Sequence, residues 1–193
     1  MEMLAGFMGI SARSDWRKVI ERRIMTRPFL GIREALSALE ADRALPPPTP
    51  SERDDLIRRW NTAVAASRLY DDALPLLDEL GPRLRIGLLS NTQSFDLDFL
   101  RGSGLAARLD VMCLSCNEGR LKPDPAFFEA VAMRMGLPPA ELVMAGDSVG
   151  DDIVGALHSG LRAIHVDRKG VADPVPGSDG RVTSLTGIAS LLS

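Results

Sequence analysis

Leu142-Val143-Met144-Ala145-Gly146-Asp147-Ser148-Val149-Gly150-Asp151-Asp152-Ile153-Val154-Gly155-Ala156 is the stretch whose reading decides the fold. A short apolar run ends in Gly-Asp-Ser, and a helical pattern with two acids in its first turn begins at once. The run reads as a buried parallel strand that delivers a carboxylate at its C-terminal end. In open α/β sheets that edge is where ligands bind. Asp147 stands at the mouth, with Asp151 and Asp152 close behind. Hard oxygen ligands grouped in this way suit Mg²⁺, which takes one or two carboxylates and leaves positions for water and phosphate. The plainer alternative is that Asp151 and Asp152 only favour the positive end of a helix dipole.

Outward from this stretch, short apolar runs alternate with helical patterns. Strands are expected at 85–89, 111–115, 142–146 and 162–166, and helices at 71–80, 95–105, 125–135, 149–159 and 185–192. This alternation predicts an α/β fold, a Rossmann-like parallel sheet with helices on both faces. Ahead of it, residues 1–70 read as a small helical domain, with residues 71–193 as the α/β core. Its helices are placed at 3–10, from Ser14, over 30–45 and from Ser51, where an acid three positions on suggests a capping box. Trp16, Val19, Ile20 and Ile24 share one face, as do Leu56, Ile57, Trp60 and Val64. The run Pro46-Pro47-Pro48-Thr49-Pro50 is a stiff connector.

Composition narrows the function. With 193 residues, 45% hydrophobic and 25% charged, the chain is of ordinary globular character. A net charge of −3 offers no electrostatic case for nucleic acid or an anionic membrane. No apolar run reaches the roughly 20 residues that span a bilayer, and the N-terminus lacks a basic signal-peptide region. A cytoplasmic location is expected. The two cysteines, Cys113 and Cys116, have no second Cys or His pair and read as buried side chains. His158 and His165 read as structural.

Two further features fall at strand ends. Ser90-Asn91 offers a hydroxyl and an amide to a phosphate oxygen, or a helix N-cap. Lys122 lies in Gly119-Arg120-Leu121-Lys122-Pro123-Asp124-Pro125, where two prolines fix the loop and aim its ammonium. Hydroxyl, cation and acid cluster together form a phosphoryl-transfer constellation, in which catalysis is mostly positioning and charge neutralisation.

Leu88-Leu89-Ser90-Asn91-Thr92, Leu121-Lys122-Pro123-Asp124-Pro125 and Gly146-Asp147-Ser148-x-x-x-Asp152-Ile153-x-Gly155-Ala156 resemble, in order and interval, motifs II, III and IV of the haloacid dehalogenase-like (HAD) hydrolases. The leading helices resemble the family's C1 cap. The resemblance implies that Ser90 binds the phosphoryl group, Lys122 stabilises nucleophile and phosphate, Asp147 ligates Mg²⁺, and Asp152 supports the metal or Lys122. It also implies a small phosphorylated metabolite as substrate, and Gly146-Asp147-Ser148 is closer to the Mg²⁺-dependent phosphatases than to the dehalogenases.

The family's first motif, a strand ending in Asp-x-Asp-Gly that carries the nucleophile, is not in the sequence. Asp96-Leu97-Asp98 has no strand before it and no glycine after it. In the family that strand is central, between those ending at Ser90 and Gly146, so a slot is expected there. Each unpaired buried backbone group costs about 1–3 kcal/mol, against a total stability of roughly 5–15 kcal/mol. An N-terminally shortened, inactive phosphatase is therefore the leading expectation, and the slot invites a homodimer by strand exchange. A non-catalytic binding or regulatory protein is the alternative, with a dehalogenase third.

Overall fold

Thr49 and Pro50 set the first well-defined helix start in the structure, a computed structural model that describes residues 21–41 and 48–192. Helix α2 (Pro50–Ala65) has Thr49 as its N-cap. The Glu52 amide donates to Thr49 Oγ1, and the Thr49 amide donates to Glu52 Oε2 at 2.8 Å. The capping box thus falls two residues before the expected Ser51, because proline's fixed φ suits the first helical position. Before it, α1 (Ile32–Ala41) buries Ile32, Ala35, Leu36 and Leu39 on one face. Those side chains, Ile24, and Leu56, Ile57 and Trp60 of α2 make one apolar cluster. The helices expected at 3–10 and from Ser14 lie outside the described residues, apart from a helical turn at 21–24.

The remaining elements alternate as the sequence implies. They are α3 (Ala73–Leu80), β1 (Gly87–Ser90), α4 (Asp98–Gly102), β2 (Val111–Leu114), α5 (Ser115–Glu118) and α6 (Pro125–Met135). There follow β3 (Val143–Gly146), a π-helical turn (Val149–Val154), α7 (Gly155–His158), β4 (Arg162–Val166), β5 (Gly180–Val182) and α8 (Gly187–Leu191). The helix expected at 95–105 shrinks to five residues, because Phe95 is drawn into the helical cluster and Asp96 takes a left-handed conformation (φ 58°). The helix expected at 149–159 opens with a wider turn, in which the Ile153 amide reaches the Ser148 carbonyl at 3.2 Å. Strand β5 was not expected from the sequence: three residues are too few to show a period.

Among the described residues all strand pairs are parallel, but they form two ladders. β1 pairs with β2, and β3-β4-β5 form the other. Among the described residues no strand pairs β1 with β3. The two ladders share one layer because they share covers. Leu89, Val111, Cys113 and Ala163 pack with Phe127, Phe128, Val131 and Met135 of α6 and with Ile153 and Ala156. On the opposite face Ile164 and Val166 meet Leu76 and Leu80 of α3 and Ile188 and Ala189 of α8, with Ile86 and Val143 alongside. Helices on both faces of parallel strands are the architecture expected. Cys113 and Cys116 are both buried and free, and burial raises both thiols above their ordinary value. No helix among the described residues is long and apolar enough to cross a membrane.

Candidate active site

Lys122 joins the two ladders. Its Nζ donates to the carbonyl of Leu89, just before Ser90, at 2.9 Å. The same ammonium lies 2.7 Å from Asp152 Oδ1, in the turn that follows β3. The side chains are 11% and 6% exposed, so this is a buried ion pair. Asp152 Oδ2 accepts the Ser148 amide at 3.0 Å. Oδ1 makes no aligned hydrogen bond and meets the ammonium at ion-pair distance only. Space for this carboxylate exists because residue 146 is glycine: a Cβ there would lie 2.3 Å from Asp152 Oδ2.

The loop carrying Lys122 is held from β1. Asn91 Nδ2 donates to the Lys122 carbonyl at 3.0 Å, and its Oδ1 accepts the Lys122 amide at 2.8 Å. Both ends of the Asn91 amide are therefore spent on backbone, and the residue fixes Lys122 rather than presenting its side chain to a ligand. The Lys122–Pro123 bond is cis. Ser115, fully buried, repeats the device: its Oγ accepts the Thr92 amide at 2.9 Å and donates to the Thr92 carbonyl at 3.1 Å. No sequence pattern singled out Ser115.

Ser90 is half-buried at the end of β1, and Asp147 is exposed just beyond β3. Asp151 is half-buried, with its amide on Ser148 Oγ at 3.2 Å. Burial raises the Asp151 carboxyl above its ordinary value, and the charges of Asp152 and Glu21 push the same way; Lys122 and the Ser148 hydroxyl oppose them. Glu21, from the helical part, thus adds to the negative field over this edge. No group of three or more His, Cys, Asp or Glu stands arranged for a metal among the described residues. His165 is buried with Nδ1 unpartnered, and His158 is exposed.

A second clamp stands beside the edge. Arg168, just beyond β4, donates to both oxygens of Asp72 at 2.9 and 3.0 Å. Its guanidinium carbon lies 3.7 Å from the centre of the Tyr70 ring. Asp72 Oδ2 also accepts the Leu185 amide at 2.8 Å. The Arg168 bonds hold the Asp72 carboxyl below its ordinary value. Arg168 itself is raised, first by Asp72 and, as a smaller influence, by the charge of Asp147.

The parallel strands bring a hydroxyl, a buried lysine and an exposed aspartate to one edge, the edge at which open α/β sheets bind ligands. The chain belongs to the haloacid dehalogenase-like hydrolases, whose family model matches residues 7–160. It is 32% identical over 181 residues to phosphoserine phosphatase of Thermus thermophilus, covering 92% of this chain and 67% of that protein. It is also 32% identical over 164 residues to a phosphatase of Mycobacterium tuberculosis, covering 83% of this chain and 70% of that one. The chain therefore spans about two thirds of these relatives. In fold it matches the HAD-hydrolase YfnB of Bacillus subtilis with a TM-score of 0.66 at 19% identity, covering 100% of this chain and 89% of the other.

Proposed function

We propose that the strand edge binds the phosphoryl group of a small phosphorylated metabolite and is built for Mg²⁺-assisted phosphatase chemistry. The observation that carries this reading is the Lys122 ammonium, buried between Leu89 O and Asp152 at the edge that also holds Ser90 and Asp147. A buried cation with its backbone clamped by Asn91 is a pre-oriented charge for phosphate oxygens, and it needs little reorganisation when they arrive. Ser90 offers a hydroxyl to the same group. The phosphatases among the relatives support the substrate class.

Asp147 would hold Mg²⁺, with Asp151 beside it, and the ion would neutralise charge on the phosphoryl oxygens. The residues present fit such an ion. Mg²⁺ needs only one or two carboxylates, and Asp151, raised first by burial and then by the like charges of Asp152 and Glu21, would have that like-charge repulsion relieved by a cation. Asp152, with its oxygens engaged by Lys122 and the Ser148 amide, serves as the lysine's counter-ion. Residues up to about 70 act as the cap that selects substrate, and 71–193 as the core.

No Asp-x-Asp-Gly stands in these 193 residues. The expected behaviour of this chain is binding without appreciable turnover, since the aspartyl-phosphate route needs that nucleophile. Calorimetric titration with orthophosphate, with and without Mg²⁺, tests the reading. Wild type should bind, Lys122→Met should lose most of the affinity, and Asp147→Asn should lose the Mg²⁺ dependence. Equal phosphate binding by all three would sink it, and sustained phosphate release from phosphoserine would overturn the inactivity.

A further inference from the structure

The segment from Asn91 to Asp96 is tied at five points, and three of them reach the helical part. Asn91 clamps the backbone of Lys122 and Ser115 clamps that of Thr92. Further on, Ser94 Oγ accepts the Phe29 amide at 2.6 Å and donates to the Phe29 carbonyl at 2.8 Å. Phe95, 5% exposed, packs into the helical cluster with its ring 5.5 Å from that of Trp60. Trp60 Nε1 donates to Asp96 Oδ2 at 2.6 Å. Asp96 sits at φ 58°, a left-handed conformation that is uncommon outside glycine and that aspartate adopts more readily than most residues. The bond from Trp60 anchors its side chain there.

We infer that Trp60 and Asp96 are positioning residues for Lys122. The indole–carboxylate bond fixes the far end of a six-residue crossbar whose near end, Asn91, holds the lysine's backbone in place. The consequence is that the seating of the helical part on this crossbar sets the geometry of the phosphate-facing ammonium. The importance of Lys122 rests on the function proposed above, but the mechanical coupling does not, and it can be read without ligand.

Three amides report along the crossbar: Phe29 N–H on Ser94, Thr92 N–H on Ser115 and Lys122 N–H on Asn91. Hydrogen exchange followed by NMR on the full chain compares wild type with Trp60→Phe, Asp96→Gly and Asp96→Asn. Trp60→Phe keeps the ring and loses the donor. Asp96→Gly relieves the backbone and loses the acceptor. Both should speed exchange at Thr92 and Lys122 by about tenfold, the order expected for a lost hydrogen bond to a charged group. Asp96→Asn keeps an acceptor oxygen without its charge and should fall between wild type and Asp96→Gly, at about a few-fold. Amides of the β2 and β4 ladders should not change. With orthophosphate as probe, Trp60→Phe should also lower affinity while leaving Mg²⁺ affinity unaltered. Acceleration confined to Phe29, with Lys122 as slow as in wild type, overturns the inference. Should Trp60→Phe speed the ladder amides as well, Ser94→Ala decides, since it cuts the neighbouring tie without touching the aromatic pair: an unchanged Lys122 amide there refutes the coupling. Absence of phosphate binding alongside the predicted exchange pattern would remove the functional reading and leave the coupling standing.

Discussion

Replacing Lys122 with methionine removes the ammonium and leaves Asp152 as a buried carboxylate with no counter-charge. The two side chains are 11% and 6% exposed and 2.7 Å apart, so solvent screens the loss poorly. Breaking such a pair from one side costs about 3–5 kcal/mol. The Leu89 carbonyl also loses its donor, which places Lys122→Met at the upper end. Asp152→Asn strands the ammonium but retains an acceptor for the Ser148 amide, which places it lower. The double variant carries no charge, and only the Leu89 carbonyl goes unserved, at about 1–3 kcal/mol. The cycle should therefore be strongly sub-additive, with the double variant more stable than Lys122→Met alone. Guanidinium unfolding of all four proteins, with m-values compared to confirm a common denatured state, measures this. Single variants that each cost under about 1 kcal/mol and add in the double would mean that the pair behaves as a screened surface contact, and the buried-site reasoning would be refuted.

Three further outcomes are expected. Asn91→Ala removes both bonds to the Lys122 backbone and should cost about 1–3 kcal/mol, with a matching loss of orthophosphate affinity; thermal melts beside a phosphate titration check both. Gly146→Ala sets a Cβ 2.3 Å from Asp152 Oδ2 and 2.4 Å from its Cγ, and should cost about 1–3 kcal/mol of overpacking while displacing Lys122; a melting temperature equal to wild type would contradict it. The Asp72 carboxyl is held below its ordinary 3.8 by Arg168, so its contribution is complete above that pH and is lost as pH falls through the lower folded value. Wild type should lose stability on acidification below about pH 4, and Asp72→Asn should be less stable at neutral pH with a shallower acid limb, as read by denaturation at stepped pH.

The strand ends were legible because they are local. An apolar run, a terminal acid and a helical pattern sit within fifteen residues at 142–156, and the positions of Ser90, Lys122 and Asp147 at one edge follow once the strands are parallel. What escaped was everything set by distant contacts. Nothing near Asn91 says that its amide closes on residue 122, and nothing near Asp72 says that it pairs with Arg168, 96 positions away. The wider turn at 149–154 left no mark in the pattern of apolar residues. The start of α2 was misplaced because Ser51 and Thr49 offer the same cap chemistry, and only the placement of Pro50 separates them. The apparent helix at 95–105 failed for a tertiary reason: Phe95 and Asp96 serve the helical cluster instead of continuing a helix.

The chain has one tyrosine, and the guanidinium of Arg168 rests on its ring. A cation against a phenol alters its near-ultraviolet absorbance and circular dichroism, and since the chain's two tryptophans absorb in the same range, the difference between wild type and Tyr70→Phe isolates the tyrosine contribution. Tyr70 is thus a built-in optical gauge of its contact with Arg168 and of the Arg168–Asp72 clamp. It reads the state of that clamp without a label, in the protein as it stands.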